Sequence, residues 1–287
     1  MSITDDRQWV EHGHVYVVGT PIGNLDDFSL RGQAVLRQVD RILCEDTRET
    51  LVLCRYFNIQ RPLVSFHAHN AKLRLPQISS WLRQGESLAL VSDRGMPAVS
   101  DPGQELIAWL YANQMPFSVV PGPSAQVTAF TASGFPHPYV FWGFLPAGGT
   151  ARRQCLKDMH DIPYTAVLYE APHHMAKTVA DLTEFFGSDY PVVIGRELTK
   201  HFEEYWRGTL GLLANTRTAW KGEIVVVLGP SPRQAFSDEP QWNLVIQEVE
   251  RLVKQGCTIK EATQQIASQH HISRRELYNR VQKSRRD

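Results

Sequence analysis

Short apolar runs alternate with amphipathic stretches along most of the chain, and each run closes on glycine, proline or an acid. Val15–Val18 is a β-type run that breaks at Gly19-Thr20-Pro21-Ile22-Gly23-Asn24, after which residues 29–39 carry apolar side chains at helical spacing. Ile42-Leu43-Cys44 predicts a second strand ending in Glu45-Asp46-Thr47. Residues 88–91 predict another, and 104–113 a helix whose start is marked by Asp101 and Pro102. Phe117–Val120 then runs into Pro121-Gly122-Pro123-Ser124, where Ser124 is placed to cap a helix reaching Ser133. After Gly134-Phe135-Pro136 the pattern restarts, with strands over 139–144, 165–169, 192–195 and 223–228 and helices over 151–159 and 175–186. This alternation predicts an α/β chain with mostly parallel sheets covered on both faces.

The division read from these patterns is an N-terminal tail over 1–13, α/β domains over 14–121 and 122–232, a linker over 233–240 and a basic helical region over 241–287. The linker rests on Pro232, Pro240 and the mixed polar residues between them. Residues 244–253, 259–267 and 274–281 repeat apolar positions at three-to-four spacing, Gly256 breaks the series, and Ser273-Arg274-Arg275-Glu276 has the form of a capping box.

Composition narrows the class. The chain has 287 residues, 43% hydrophobic and 21% charged, which supports a globular fold of about two domains and shows no signature of disorder. A formal net charge of zero removes any argument from overall field for a polyanion partner. From Lys260 to Asp287, however, seven Lys or Arg face three acids. A basic helix opened by Arg274 and Arg275 suits a phosphate backbone, and it equally suits a packed helical cap with a solvated face. Cys44, Cys54, Cys155 and Cys257 are widely spaced, predicting reduced thiols. His67-Ala68-His69, His173-His174 and His270-His271 lack the acid or Cys that would complete a ligand set, so no metal is expected. The acidic start and the lack of a long apolar run predict neither export nor membrane insertion.

Candidate chemistry lies in the loops. Residues 92–103, Ser-Asp-Arg-Gly-Met-Pro-Ala-Val-Ser-Asp-Pro-Gly, directly follow a strand, and in open α/β sheets ligands bind beside such loops. Gly19-x-x-x-Gly23 is not a dinucleotide fingerprint, Pro21 lacks an N–H for a pyrophosphate cradle, and no Walker loop is present.

Taken in order, Gly19 to Asn24, Glu45-Asp46-Thr47-Arg48, residues 92–103 and Pro121-Gly122-Pro123-Ser124-Ala125 resemble the loops of the tetrapyrrole methylase superfamily. Within it the chain is most similar to a bacterial branch that methylates the ribose 2′-hydroxyl of a decoding-centre cytidine in 16S rRNA with S-adenosylmethionine. The resemblance continues through Phe141-Trp142-Gly143-Phe144-Leu145-Pro146, Tyr169-Glu170-Ala171-Pro172-His173, Arg196-Glu197-Leu198-Thr199-Lys200, Arg207-Gly208-Thr209, residues 222–228 and Ser273 to Tyr278, covering about 14–281. Two departures stand out. Asp93-Arg94-Gly95-Met96-Pro97 replaces the usual Asp-Ala-Gly-Thr-Pro, and His173-His174 replaces His-Arg.

The resemblance implies two α/β domains with the cofactor cleft between them plus a small C-terminal helical region, S-adenosylmethionine as cofactor, the small ribosomal subunit as partner, a homodimer and a cytoplasmic location. Asp93, Gly95, Met96, Pro97, Ser124, Leu145, Tyr169, Glu197 and Leu198 are the implied cofactor residues. Without it, Leu145, Tyr169 and Leu198 read as core packing. Removal of the ribose proton calls for a carboxylate, histidine or lysine, and Glu45, Asp46, His67, Asp93, Glu197 and Lys200 are candidates, with Asp46, His67 and Lys200 as the working catalytic set. Two other readings stay open: a methylase of a corrin-type precursor, and a protein that binds S-adenosylmethionine and RNA without transfer.

Overall fold

The computed structural model describes residues 8–216, 219–230, 242–269 and 272–284. The expected linker 233–240 and His270-His271 lie outside the described residues. The chain divides into two compact units, 1–231 and 232–287.

The first unit opens with five strands, β1 (Val15–Val18), β2 (Arg41–Cys44), β3 (Leu63–Ser65), β4 (Leu88–Leu90) and β5 (Phe117–Val120). They form an all-parallel sheet in the order β3-β2-β4-β1-β5. Helices α1 (Leu30–Gln38), α2 (Thr47–Tyr56), α3 (Ala71–Arg83) and α4 (Gln104–Ala112) supply the crossovers such a sheet requires. Alternation along β1 sends Val15 and Val17 into one core with Ile78, Leu82, Leu106 and Leu110, and Tyr16 and Val18 into the other with Val35 and Leu36. Both faces are therefore covered, as the continuous apolar strands predict.

Helix α5 (Ala125–Ser133) leads to the second sheet, β6 (Tyr139–Phe144), β7 (Thr165–Glu170), β8 (Pro191–Arg196), β9 (Glu204–Thr209) and β10 (Ile224–Leu228), with α6 (Gly149–Asp161), α7 (Met175–Phe186) and α8 (Leu210–Thr216) between strands. Its order is β6-β7-β10-β8-β9. Only β6 and β7 pair parallel; β10 is antiparallel to β7 and β8, and β9 to β8. The expectation of a mostly parallel second sheet is corrected. The connection from β8 to β9, residues 197–203, carries no crossover helix, so the chain returns as a hairpin. One face packs on α6, α7 and α8 through Leu156, Met159, Leu182 and Leu210, and the other receives Ala129 of α5, Leu198 and Ile22. Ile22 belongs to the loop after β1, so the two sheets share a core.

The second unit is a cluster of three helices, α9 (Trp242–Lys254), α10 (Ile259–Gln269) and α11 (Arg274–Ser284), around Val249, Ile266, Leu277 and Val281. Ser273 accepts from the Glu276 N–H at 3.4 Å, the forward half of the expected box. A reciprocal box stands at α10, where Glu261 accepts from the Thr258 N–H at 3.0 Å and Thr258 from the Glu261 N–H at 3.3 Å. Among the described residues no helix is long and apolar enough to cross a membrane.

Candidate functional site

Because the first sheet is all parallel, the loops after β1, β2, β3, β4 and β5 emerge on one edge, which brings all the sequence motifs of the first half together. The loops after β1 and β4 are stitched by reciprocal backbone bonds, Thr20 N–H to Gly95 carbonyl at 2.9 Å and Gly95 N–H to Thr20 carbonyl at 3.2 Å. The buried Thr20 hydroxyl adds a bond to the Ser92 carbonyl at 3.1 Å. Gly19 abuts Gly122 so closely that a Cβ on Gly122 would stand 2.8 Å from backbone atoms of Gly19. A Cβ on Gly23 would stand 2.8 Å from the Leu198 carbonyl oxygen of the β8–β9 hairpin. The spacing Gly19-x-x-x-Gly23 thus serves backbone packing on both halves of the unit, which explains its mismatch with a phosphate loop. Gly122→Ala is expected to cost about 1–3 kcal/mol, because backbone on both sides has to shift. An unchanged denaturation midpoint would show that the loops separate freely.

These loops wall a cavity of about 310 Å³ with residues of the second sheet. Gly95, Met96 and Asp101 face it from the β4 loop, Ser124 and Ala125 from the start of α5, and Tyr169, Leu198 and Glu223 from the second sheet and its connections. Backbone strain gathers in the same place. Ala98, Ser100, Glu197 and Thr199 hold positive φ of 64°, 62°, 51° and 65°, all in the two loops flanking the cavity.

Of the residues expected to hold a cofactor, Gly95, Met96, Ser124, Tyr169 and Leu198 line this cavity. The others sit elsewhere. Leu145 is buried in the core of the second sheet among Leu156 and Met159. Asp93 accepts from the Asp46 N–H at 3.1 Å, tying the β4 loop to the β2 loop. Glu197 accepts from Lys200 Nζ at 2.8 Å and from the Glu223 N–H at 2.9 Å. Pro97 is not among the lining residues. Ser124 is the N-cap residue of α5 but its side chain makes no capping bond, leaving the hydroxyl to the cavity.

The expected catalytic residues divide as well. Asp46 caps α2 and accepts from the Arg48 guanidinium, which lowers its carboxyl to about 2. His67 Nε2 meets the Asn70 amide nitrogen at 3.2 Å, and that nitrogen also donates to the Ser65 carbonyl. The Nδ1 of His67 is buried with no hydrogen-bond partner among the described residues. Lys200 is engaged by two carboxylates, Glu197 and Glu223.

Sequence reading placed Asp101 in the candidate 92–103 loop and at a helix start without giving it a role in the site, and it faces the cavity. Burial, reinforced by the nearby charges of Glu45 and Asp93, pushes its carboxyl up to about 7. Burial likewise raises Glu45 and Asp93, each with a neighbouring acid adding to the shift. The second carboxylate of the 92–103 loop was the available signal, but its proximity to Glu45 is a product of tertiary packing. Glu170 is another residue the sequence reading missed, as is Glu223. Glu170 lines the cavity, accepts from the Ala171 N–H at 2.8 Å and from the Thr178 hydroxyl, and Thr178 in turn accepts from the buried Arg152 at 2.8 Å. A mostly apolar cavity with a poised carboxylate suits a cationic organic ligand. Gln126, one residue beyond the lining Ala125, adds a buried side-chain oxygen with no partner among the described residues.

A family model described as Tetrapyrrole (Corrin/Porphyrin) Methylases matches residues 14–214. The chain is 39% identical over 272 residues to Ribosomal RNA small subunit methyltransferase I of a Synechocystis strain, covering 93% of this chain and 96% of that protein. It is 46% identical over 221 residues to the protein of the same name from Xylella fastidiosa, covering 75% and 81%. Among solved structures, uroporphyrin-III C-methyl transferase from Thermus thermophilus complexed with S-adenyl homocysteine aligns with a TM-score of 0.56, at 19% identity over 77% of this chain and 99% of that one.

Proposed function

The chain belongs to the tetrapyrrole (corrin/porphyrin) methylase family, and we propose that it is an S-adenosylmethionine-dependent methyltransferase acting on small-subunit rRNA. The observation that carries this reading is the near full-length similarity to relatives named for that activity. Within it, the acceptor is a cytidine ribose 2′-hydroxyl of the decoding region in 16S rRNA, and the protein works as a cytoplasmic homodimer. Lys260 and Arg274, which border one surface groove of the second unit, suit contact with phosphates.

Bound S-adenosylmethionine supplies an electrophilic methyl group on a sulfonium. Asp101 offers the carboxylate that a cationic amino acid end or sulfonium requires, and the N–H groups opening α5 suit a carboxylate. Gly95 allows main chain to lie along the ligand, while Met96, Tyr169 and Leu198 form apolar walls. The acceptor hydroxyl has to be aligned and relieved of its proton. Asp46, lowered to about 2, is a weak proton acceptor. Glu45 and Asp93, raised by burial, are better matched to the task, with His67 at Glu45 and Asp46 fixing the loop.

Incubating the protein with methyl-labelled S-adenosylmethionine and under-methylated small ribosomal subunits tests the proposal. Label in a ribose of the 16S rRNA is expected. Transfer only to a porphyrinoid acceptor, or binding of the donor without transfer, would overturn it.

A further inference from the structure

Three carboxylates face the cavity, Asp101, Glu170 and Glu223, and Arg94 is the one cation among the described residues that line it. Such a site repels a polyanion unless a cation stands at its rim. The Arg94 guanidinium forms an ion pair with Glu223, both side chains being 50% exposed. Lys200 Nζ reaches the other oxygen of the same carboxylate at 3.1 Å. Two cations from separate loops therefore converge on one solvent-accessible anion, beside the cavity where the methyl donor is proposed to bind.

Resting on the rRNA methyltransferase reading, we propose that Arg94 and Lys200 are a phosphate-binding clamp for the substrate strand, and that Glu223 is the anion a backbone phosphate displaces. In RNA the 2′-hydroxyl is carried by the carbon next to the one bearing the 3′-phosphate. A hydroxyl presented to the cavity thus brings a phosphate to its rim. Guanidinium matches phosphate through a planar pair of donors, while the ammonium serves as a point charge. The exchange is energetically cheap, since an ion pair with half-exposed partners contributes little against hydration and screening. Glu197 keeps Lys200 anchored at 2.8 Å when Glu223 is displaced.

The experiment measures binding to purified under-methylated small subunits across a salt series at fixed magnesium, for the unaltered protein, Arg94→Ala, Arg94→Lys and Glu223→Gln. Arg94→Ala is expected to weaken binding about 5- to 10-fold at low salt and to reduce the slope of log affinity against log salt by about 0.7. Arg94→Lys should keep most of that slope. Glu223→Gln, which releases Arg94 from its ion pair and leaves Lys200 held by Glu197 alone, should tighten binding several-fold. A structural strap predicts the opposite sign for Glu223→Gln, so weakening there, or an Arg94→Ala variant with unchanged affinity and slope, overturns the clamp. Failure of the unaltered protein to bind or methylate the subunit would instead remove the reading on which the clamp rests.

Discussion

Asp101→Asn is expected to weaken S-adenosylmethionine binding by about 30-fold or more, the equivalent of the roughly 2 kcal/mol or greater loss when one partner of a buried charge pair is removed. The carboxyl stands at about 7 because burial opposes its charge and Glu45 and Asp93 add to that opposition. A bound cation reverses the balance by favouring the carboxylate. Donor affinity of the unaltered protein should therefore fall as pH drops below 7, by up to about tenfold per unit, because a proton must leave before the cation can be held. The Asn variant should show a flat profile over the same range. Titration calorimetry in two buffers of different ionisation enthalpy reads the proton release directly. Equal release in both proteins would remove Asp101 from the site.

The same group has a stability signature of opposite sense. Its ordinary value is 3.8, so between about 4 and 7 the folded chain holds a proton that the unfolded chain has released. That contribution to folding is present at acid pH and lost as pH rises through 7. Without donor, Asp101→Asn should consequently melt higher than the unaltered protein at pH 8, while gaining less from added donor. A binding residue that costs the ligand-free fold stability is the expected compromise of a functional site.

Arg152→Met should destabilise the protein by about 2–3 kcal/mol, below the range for a fully buried ion pair because the Asp181 side chain is 25% exposed. The side chain of Arg152 is 7% exposed and donates to Asp181 at 2.6 Å, the Pro146 carbonyl at 3.0 Å and the Thr178 hydroxyl at 2.8 Å. The Thr178 hydroxyl in turn donates a hydrogen bond to Glu170, which lines the cavity. Loss of the guanidinium strands the Asp181 carboxylate and loosens the support of Glu170 together. Replacing Asp181 by Leu in the same chain should recover much of the loss, since the uncompensated charge is then gone. Urea denaturation of the two variants decides the matter. A single variant within 1 kcal/mol of the unaltered protein would mean that water takes over the role of the arginine.

The loops were legible because their chemistry is local. Gly19 to Asn24, residues 92–103 and Pro121 to Ser124 declare turns through residue type, and the apolar runs before them declare strands. Residues 47–83 were less legible. Leu63–Ser65 is a strand of three residues, too short to show alternation, and α2 and α3 mix charges with apolar positions. Strand β9 was missed for a related reason: Glu204–Thr209 is only partly buried at the sheet edge and alternates weakly. Leu145 and Leu198 look alike in sequence, yet one fills the second core and the other faces the cavity. Asp46 and Asp101 are both loop acids. Arg48 two residues away lowers the first, and burial beside acids from another loop raises the second.

The sequence by itself determined the strands and helices outside residues 47–83 and 204–216, the places where the chain turns and the family resemblance, because these depend on neighbours along the backbone and on side-chain periodicity. Tertiary structure alone decided the antiparallel course of the second sheet, the convergence of Glu45, Asp93 and Asp101, and the meeting of Arg94 with Glu223. Those features join residues far apart in the chain. Their energies depend on burial and on local dielectric, which exist only once the two sheets have packed.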